Sequence, residues 1–113
     1  MWGNQPWDND CAADWFAKTI GDSGLATRVR NTLQELLAQE YWDDEALLVR
    51  AASYCLLQFG HVYVWPIDEL EKDLDLAIQG LKRVLEEGEY FDPEILQVEI
   101  AELENRLSVL QSR

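Results

Sequence analysis

Carboxylates are the commonest side chains in this chain with chemical reach. Three pairs stand at the spacing that puts both groups on one face of a helix: Asp10 with Asp14, Asp68 with Glu71, and Glu71 with Asp75. Such pairs suit acid–base work or a divalent cation. A di-metal helical bundle adds histidines at fixed offsets from its glutamates, however, and the chain has one histidine, His61. The pairs therefore read as a solvated acidic face, and neither a metal nor a cofactor is expected. His61 follows Gly60, where an imidazolium would suit the negative end of a preceding helix. A catalytic histidine needs an orienting acid and a nucleophile, and no spacing identifies either. Cys11 and Cys55 lack metal spacing and a local cationic cluster to lower a thiol pKa, so they read as reduced, partly buried thiols. There is no glycine-rich phosphate loop, nucleotide motif or zinc motif.

Arg50 carries more information, because it lies midway along the most apolar stretch and a charge buried there must be paired. Asp10 and Asp14 are its expected partners. The alternative is that Arg50, Tyr54, Gln58 and His61, at steps of 4, 4 and 3, form the exposed edge of that helix.

The elements that hold these residues follow from periodicity. Ala12, Trp15, Phe16 and Ile20 predict a short amphipathic helix, with Asp8, Asn9 and Asp10 available to cap it and Gly21 to end it. A second helix begins after Asp22 or Ser23 on the stripe Leu25, Val29, Leu33, Leu36 and Leu37, leaving Arg28, Arg30, Gln34 and Glu35 outside. Tyr41 and Trp42 then plug the end of the core. Asp43 caps a third helix that Gly60 follows; its apolar residues, from Ala46 to Phe59, cover most of the circumference, as in a helix surrounded by others. Gly60 to Trp65 alternates weakly, but no second strand candidate exists to pair with it, so an extended connector is expected. A fourth helix runs from Pro66 to Glu87 on Ile67, Leu70, Leu74, Ala77, Leu81 and Val84, and Gly88 stops it. Asp92-Pro93 opens a fifth on Leu96, Ile100, Leu103, Leu107 and Leu110. These two heptad stripes with a short turn between them imply an antiparallel hairpin, and Ile78, Leu85, Ile95 and Val98 widen the stripes for a further layer. The expected fold is all-α: one compact five-helix domain over residues 1–113, the third helix central and the last two a hairpin.

Composition fits that fold and narrows the partners. With 113 residues, 48% hydrophobic, the chain has enough apolar surface to offset the entropy of ordering. Twenty-two acids against nine bases leave a net charge of -13, which repels nucleic acid and anionic membranes. Residues 1–60 hold nine acids and four bases, and residues 61–113 thirteen and five, so the hairpin half is the more negative. No apolar run approaches the ~18 residues that span a bilayer, and no signal-peptide layout opens the chain; the expected address is cytoplasmic.

The first fifteen residues hold three of the five tryptophans. Within them Trp2, Gly3, Pro6, Trp7, Asn9, Asp10, Ala12, Asp14 and Trp15 form a pattern: Trp-Gly, then Pro-aromatic, Asn-Asp, Ala and Asp-Trp. This stretch resembles the signature of a family of small uncharacterised bacterial domains, which usually have glycine and phenylalanine where this chain has Gln5 and Trp7. The likeness continues weakly from Glu45 to Phe59. It implies membership of that fold and a bacterial source, and no activity. Physically the stretch suits a clasp, residues 1–11 packing on the domain with Trp2, Trp7 and Trp15 mostly buried. The same groups also suit a ligand site made of Trp2, Trp7, Asp10, Asp14, Arg50, Tyr54 and His61.

Three functions are then in play. The first is a non-enzymatic binding domain for a basic protein, of the immunity-protein kind that covers a cationic toxin. The second is a homodimer paired through the C-terminal helices. The third is a small enzyme or ligand-binding protein that uses the N-terminal cluster with Arg50 and His61.

Overall fold

The structure, a computed structural model, describes residues 10–62, 64–88 and 90–112, Asp10 through its backbone alone. Its elements are α1 (Asp10–Ser23), α2 (Leu25–Ala38), α3 (Glu45–Phe59), α4 (Ile67–Glu87) and α5 (Pro93–Gln111), with no strand among the described residues. The expected all-α architecture is the observed one. None of these helices is long and apolar enough to cross a membrane.

Heptad stripes organise the C-terminal half. Leu70, Leu74, Ala77, Leu81 and Val84 of α4 are buried, as are Leu96, Ile100 and Leu103 of α5, and the two helices pack as the hairpin their spacing predicts. Gly88 ends α4 in the left-handed conformation (φ 72°), its N–H donating to the Val84 carbonyl at 3.2 Å. Asp92 then caps α5, accepting from the Glu94 amide at 2.9 Å. Ile78 is buried and Leu85 partly so, but Ile95 and Val98 are exposed, so the widened stripe of α5 meets no further layer.

The central α3 packs against α2, α4 and α5. Ala46, Val49, Ala52, Ser53 and Leu56 face inward, whereas Leu47, Leu48 and Tyr54 are exposed, so this helix is covered on one side only. Its closest neighbour is α4 at Gly80, where an added Cβ would lie 2.8 Å from Val49 Cγ1. Alanine at this position would gain about 1 kcal/mol of helix propensity. Displacing a stiff β-branched side chain in a packed core costs about 1–3 kcal/mol. Gly80→Ala is therefore expected to lower the urea midpoint and Gly80→Val to lower it further, with Val49→Ala restoring much of the loss in the alanine background. A rise in midpoint from Gly80→Ala alone would show that the two helices separate freely.

Several boundaries differ from expectation. The first helix runs through Gly21 and ends at Gly24, whose φ of 72° makes it the joint between α1 and α2. Helix tolerates an exposed glycine at a cost of about 1 kcal/mol, and Ser23 secures the later stop by donating to the Ile20 carbonyl and accepting from the Leu25 amide. The cap of α3 is Asp44 rather than Asp43, and Pro66 precedes α4 instead of opening it. Gly60 has φ −80°, and it is required for space: a side chain there would collide with the Leu56 carbonyl. The following segment is a tight turn, not an extended connector. The His61 carbonyl accepts from the Val64 and Trp65 amides at 3.0 and 2.9 Å, which drops Val64 and Trp65 into the core.

Among the aromatics, Trp42 plugs the core as expected while its neighbour Tyr41 is exposed. Trp15 is 62% exposed, so the expectation that it is buried is corrected; Ala13 and Ile20 carry the buried face of α1, with Phe16 packed beside them. Trp15 stands edge-on to Phe16, which reaches Phe59 at the end of α3. Trp2, Trp7 and the capping atoms expected from Asn9 and Asp10 lie outside the described residues.

Candidate functional site

Arg50 is paired, and its partner is an acid of α5. Its Nε and Nη2 donate to the two carboxylate oxygens of Glu99 on α5 at 3.0 and 2.7 Å, in the two-pronged geometry that a guanidinium offers a carboxylate. Its charge centre also lies 4.7 Å from the centroid of the Phe91 ring, a cation–π distance. The hydrogen bond to Glu99 holds the Arg50 pKa above its ordinary value, with partial burial opposing. The expected pairing with Asp14 is thus replaced by one across α3 and α5, and the side chain of Asp10 lies outside the described residues. Asp14 is exposed on α1, and α1 packs on α2 and reaches α3 through the Phe16–Phe59 contact at its C-terminal end.

Around Arg50 the surface opens into a cleft of ≈ 490 Å³ lined by Leu47, Arg50, Ala51, Tyr54 and Phe91. Of the seven sequence-predicted site residues, Arg50 and Tyr54 share this cleft. His61 lies beyond the far end of α3; the helix from Arg50 to Phe59 spans about 14 Å. Its backbone N–H donates to the Phe59 carbonyl at 2.9 Å, and it belongs to the turn that seats Trp65. Arg50 and His61 therefore do not converge on one reacting atom, and Arg50 has already committed its strongest donors to Glu99.

Two further clefts are acidic. One, ≈ 480 Å³, crosses the hairpin between Asp68, Glu71, Lys72, Asp75, Leu107 and Gln111. It gathers both α4 carboxylate pairs, but Gln111 donates to Glu71 and Gln79 to Asp75. No group of three or more His, Cys, Asp or Glu among the described residues is placed to hold a metal ion. The other, ≈ 400 Å³, sits at the start of α3 between Asp43, Asp44, Glu45, Leu47 and Leu48, and Leu47 joins it to the Arg50 cleft. Cys11 is exposed and Cys55 partly buried, both free, and burial pushes the Cys55 thiol pKa up, away from nucleophilic use.

No protein family, curated protein or solved structure matches this chain.

The polar cluster that sequence reasoning missed is the buried one. Asp73 on α4 is fully buried, and its Oδ1 and Oδ2 accept from Arg30 Nε and Nη2 at 2.7 and 2.8 Å. Trp65 Nε1 donates to Oδ2 at 2.9 Å. Arg30 was expected on the outside of α2; its side chain is only 15% exposed, and the hydrogen bond it donates to Asp73 holds its pKa above the ordinary value. A signal existed, because Asp73 stands three residues after Leu70 and four before Ala77, a core position of the α4 stripe. Three bonds satisfy this carboxylate from α2 and the α3–α4 turn, which makes the cluster a structural pin for the helices beneath the α3 cleft.

Proposed function

We propose that this protein is a non-enzymatic binding domain whose partner is a basic protein, neutralised as an immunity protein neutralises a cationic toxin. The observation that carries the reading is the net charge of -13. Among the described residues, carboxylates line the cleft across the hairpin and the cleft at the start of α3. A field of that sign steers cationic partners and repels nucleic acid and anionic lipid. The homodimer reading has less support, since the α5 stripe offered for self-pairing is filled by α4 within the chain and a second copy brings the same negative charge. The enzyme reading has less support, because among the described residues Arg50 and His61 stand apart along α3.

Affinity capture from the native host at about 50 mM and about 300 mM salt tests the proposal, since screening tightens to well under 10 Å over that range. The expected result is a basic protein retained at low salt and depleted at high salt. An acidic partner, salt-indifferent capture, or no basic protein at low salt would overturn it. Membership of the bacterial family that the opening residues resemble is likewise a proposal, resting on those residues alone.

A further inference from the structure

The clefts at the start of α3 and beside Arg50 are two parts of one surface. α3 and α5 both pack on α4 and touch each other only lightly, at a constant offset in sequence: Arg50 bonds Glu99, and Arg106 Nη1 donates to the Leu56 carbonyl at 3.0 Å. The two helices therefore run parallel, bridged by the Arg50–Glu99 pair, and the groove on the α3 side of that pair is backed by Arg50 and Phe91. Leu47, Ala51 and Tyr54 form one lip, at i, i+4 and i+7. On α5, Ile95 stands one turn before Glu99 and Val98 beside it, and Val98 is 70% exposed. Asp43, Asp44 and Glu45 close the end of the groove, and exposed Glu94 stands at the start of α5.

We propose that this groove is the docking face, and that it takes an amphipathic helix carrying apolar residues on one side and lysine or arginine along its flanks. The inference rests on the basic-partner reading and adds where and how that partner binds. Phe91, Leu47, Ala51 and the ring of Tyr54 accept the apolar side of a helix around the paired, charge-compensated Arg50, as helix-in-groove recognition requires. The carboxylates at the end of the groove supply charge complementarity to flanking cations. They disfavour a second copy of this acidic chain. A strand would need an open backbone edge to pair with, and two intact helices present none. From Asp43 to Tyr54 the face is about 16 Å long, which matches about three turns of helix.

The probe is a fluorescently labelled peptide of about 18 residues, long enough for a stable amphipathic helix, with leucine at i, i+3, i+4, i+7 spacing and lysine elsewhere. A scrambled peptide of the same composition and a glutamate-for-lysine version are its controls. Anisotropy is expected to show the patterned lysine peptide bound at least about tenfold tighter than the scrambled one, with the glutamate version unbound. Leu47→Asn with Val98→Asn, which leaves the net charge unchanged, is expected to weaken binding about tenfold, in line with losing two apolar contacts. Glu71→Gln with Asp75→Asn, in the hairpin cleft, is expected to change it less than about threefold. Amide chemical shifts of the unmodified protein should move along α3 and the first half of α5. Equal binding of both lysine peptides, loss on the hairpin substitutions instead, or shifts confined to α4 would overturn the groove while leaving the basic-partner reading standing. Binding of neither lysine peptide overturns both.

Discussion

Arg30→Ala is expected to lower folding stability by about 3–5 kcal/mol, because removing one member of a buried ion pair strands the other. Here the stranded group is Asp73, whose side chain has no exposure to solvent and which would keep only the bond from Trp65 Nε1. Glu69, 3.6 Å from Arg30 Nε and half exposed, can turn to water and adds little to the loss. Urea unfolding followed by circular dichroism measures the effect as a fall in midpoint at constant slope. Arg30→Met with Asp73→Leu should recover most of it, since well-packed apolar residues replace a buried pair at little cost. If Arg30→Ala costs less than about 1 kcal/mol, water reaches Asp73 and the cluster is not a pin.

Trp42→Ala carries the second large effect, about 3–5 kcal/mol, the usual range for emptying an aromatic core site. The indole is buried, Nε1 donates to the Leu36 carbonyl at 2.8 Å, and Arg83 stacks 3.8 Å from its ring centroid. That N–H gives the Leu36 carbonyl, which also accepts from the Gln39 amide at 3.1 Å, a second donor at the end of α2, and the Trp42 carbonyl accepts from the Tyr90 hydroxyl at 3.4 Å. One side chain thus joins the ends of α2 and α4 to the segment that starts α3. Trp42→Phe keeps the packing and loses the N–H bond, so about 1 kcal/mol is expected. Thermal unfolding separates the two variants, the alanine form melting on the order of 10 °C lower. Equal melting of both would mean that the hydrogen bond, and not the buried ring, matters at this site. Because Trp42 directly precedes Asp43, Asp44 and Glu45, the alanine variant also tests whether the acidic end of the α3 groove depends on that anchor.

Both predictions turn on residues that the sequence presents differently from one another. Trp42 is legible as a core plug because a large apolar ring must be buried somewhere, although nothing local distinguishes it from Tyr41, which is exposed. The chain direction after α2 decides which of the two adjacent rings faces inward. Arg30 is not legible at all: on its own helix it borders the buried stripe as Arg28 does, and only the arrival of Asp73, 43 residues later, makes it a core residue. Arg50 is an intermediate case. Its place on an apolar helix announces that it needs a partner, yet the partner, Glu99, is 49 residues away.

What the sequence by itself determined are properties that repeat within one helix. These are the heptad stripes of α4 and α5, the Gly88 stop, the Asp92 cap, the hairpin they imply, the absence of strands among the described residues and the charge of -13. They are local because a helix repeats every 3.6 residues and its ends are closed by neighbours in sequence. Tertiary structure alone decided that α1 runs past Gly21 to Gly24, that Trp15 is exposed, that the backbone turns at His61 to bring Val64 and Trp65 inward, and that Leu47, Arg50 and Phe91 line one cleft. Each of those depends on which surfaces meet across tens of residues, and local periodicity carries no record of the distance between two helices or of the charge that one brings to another.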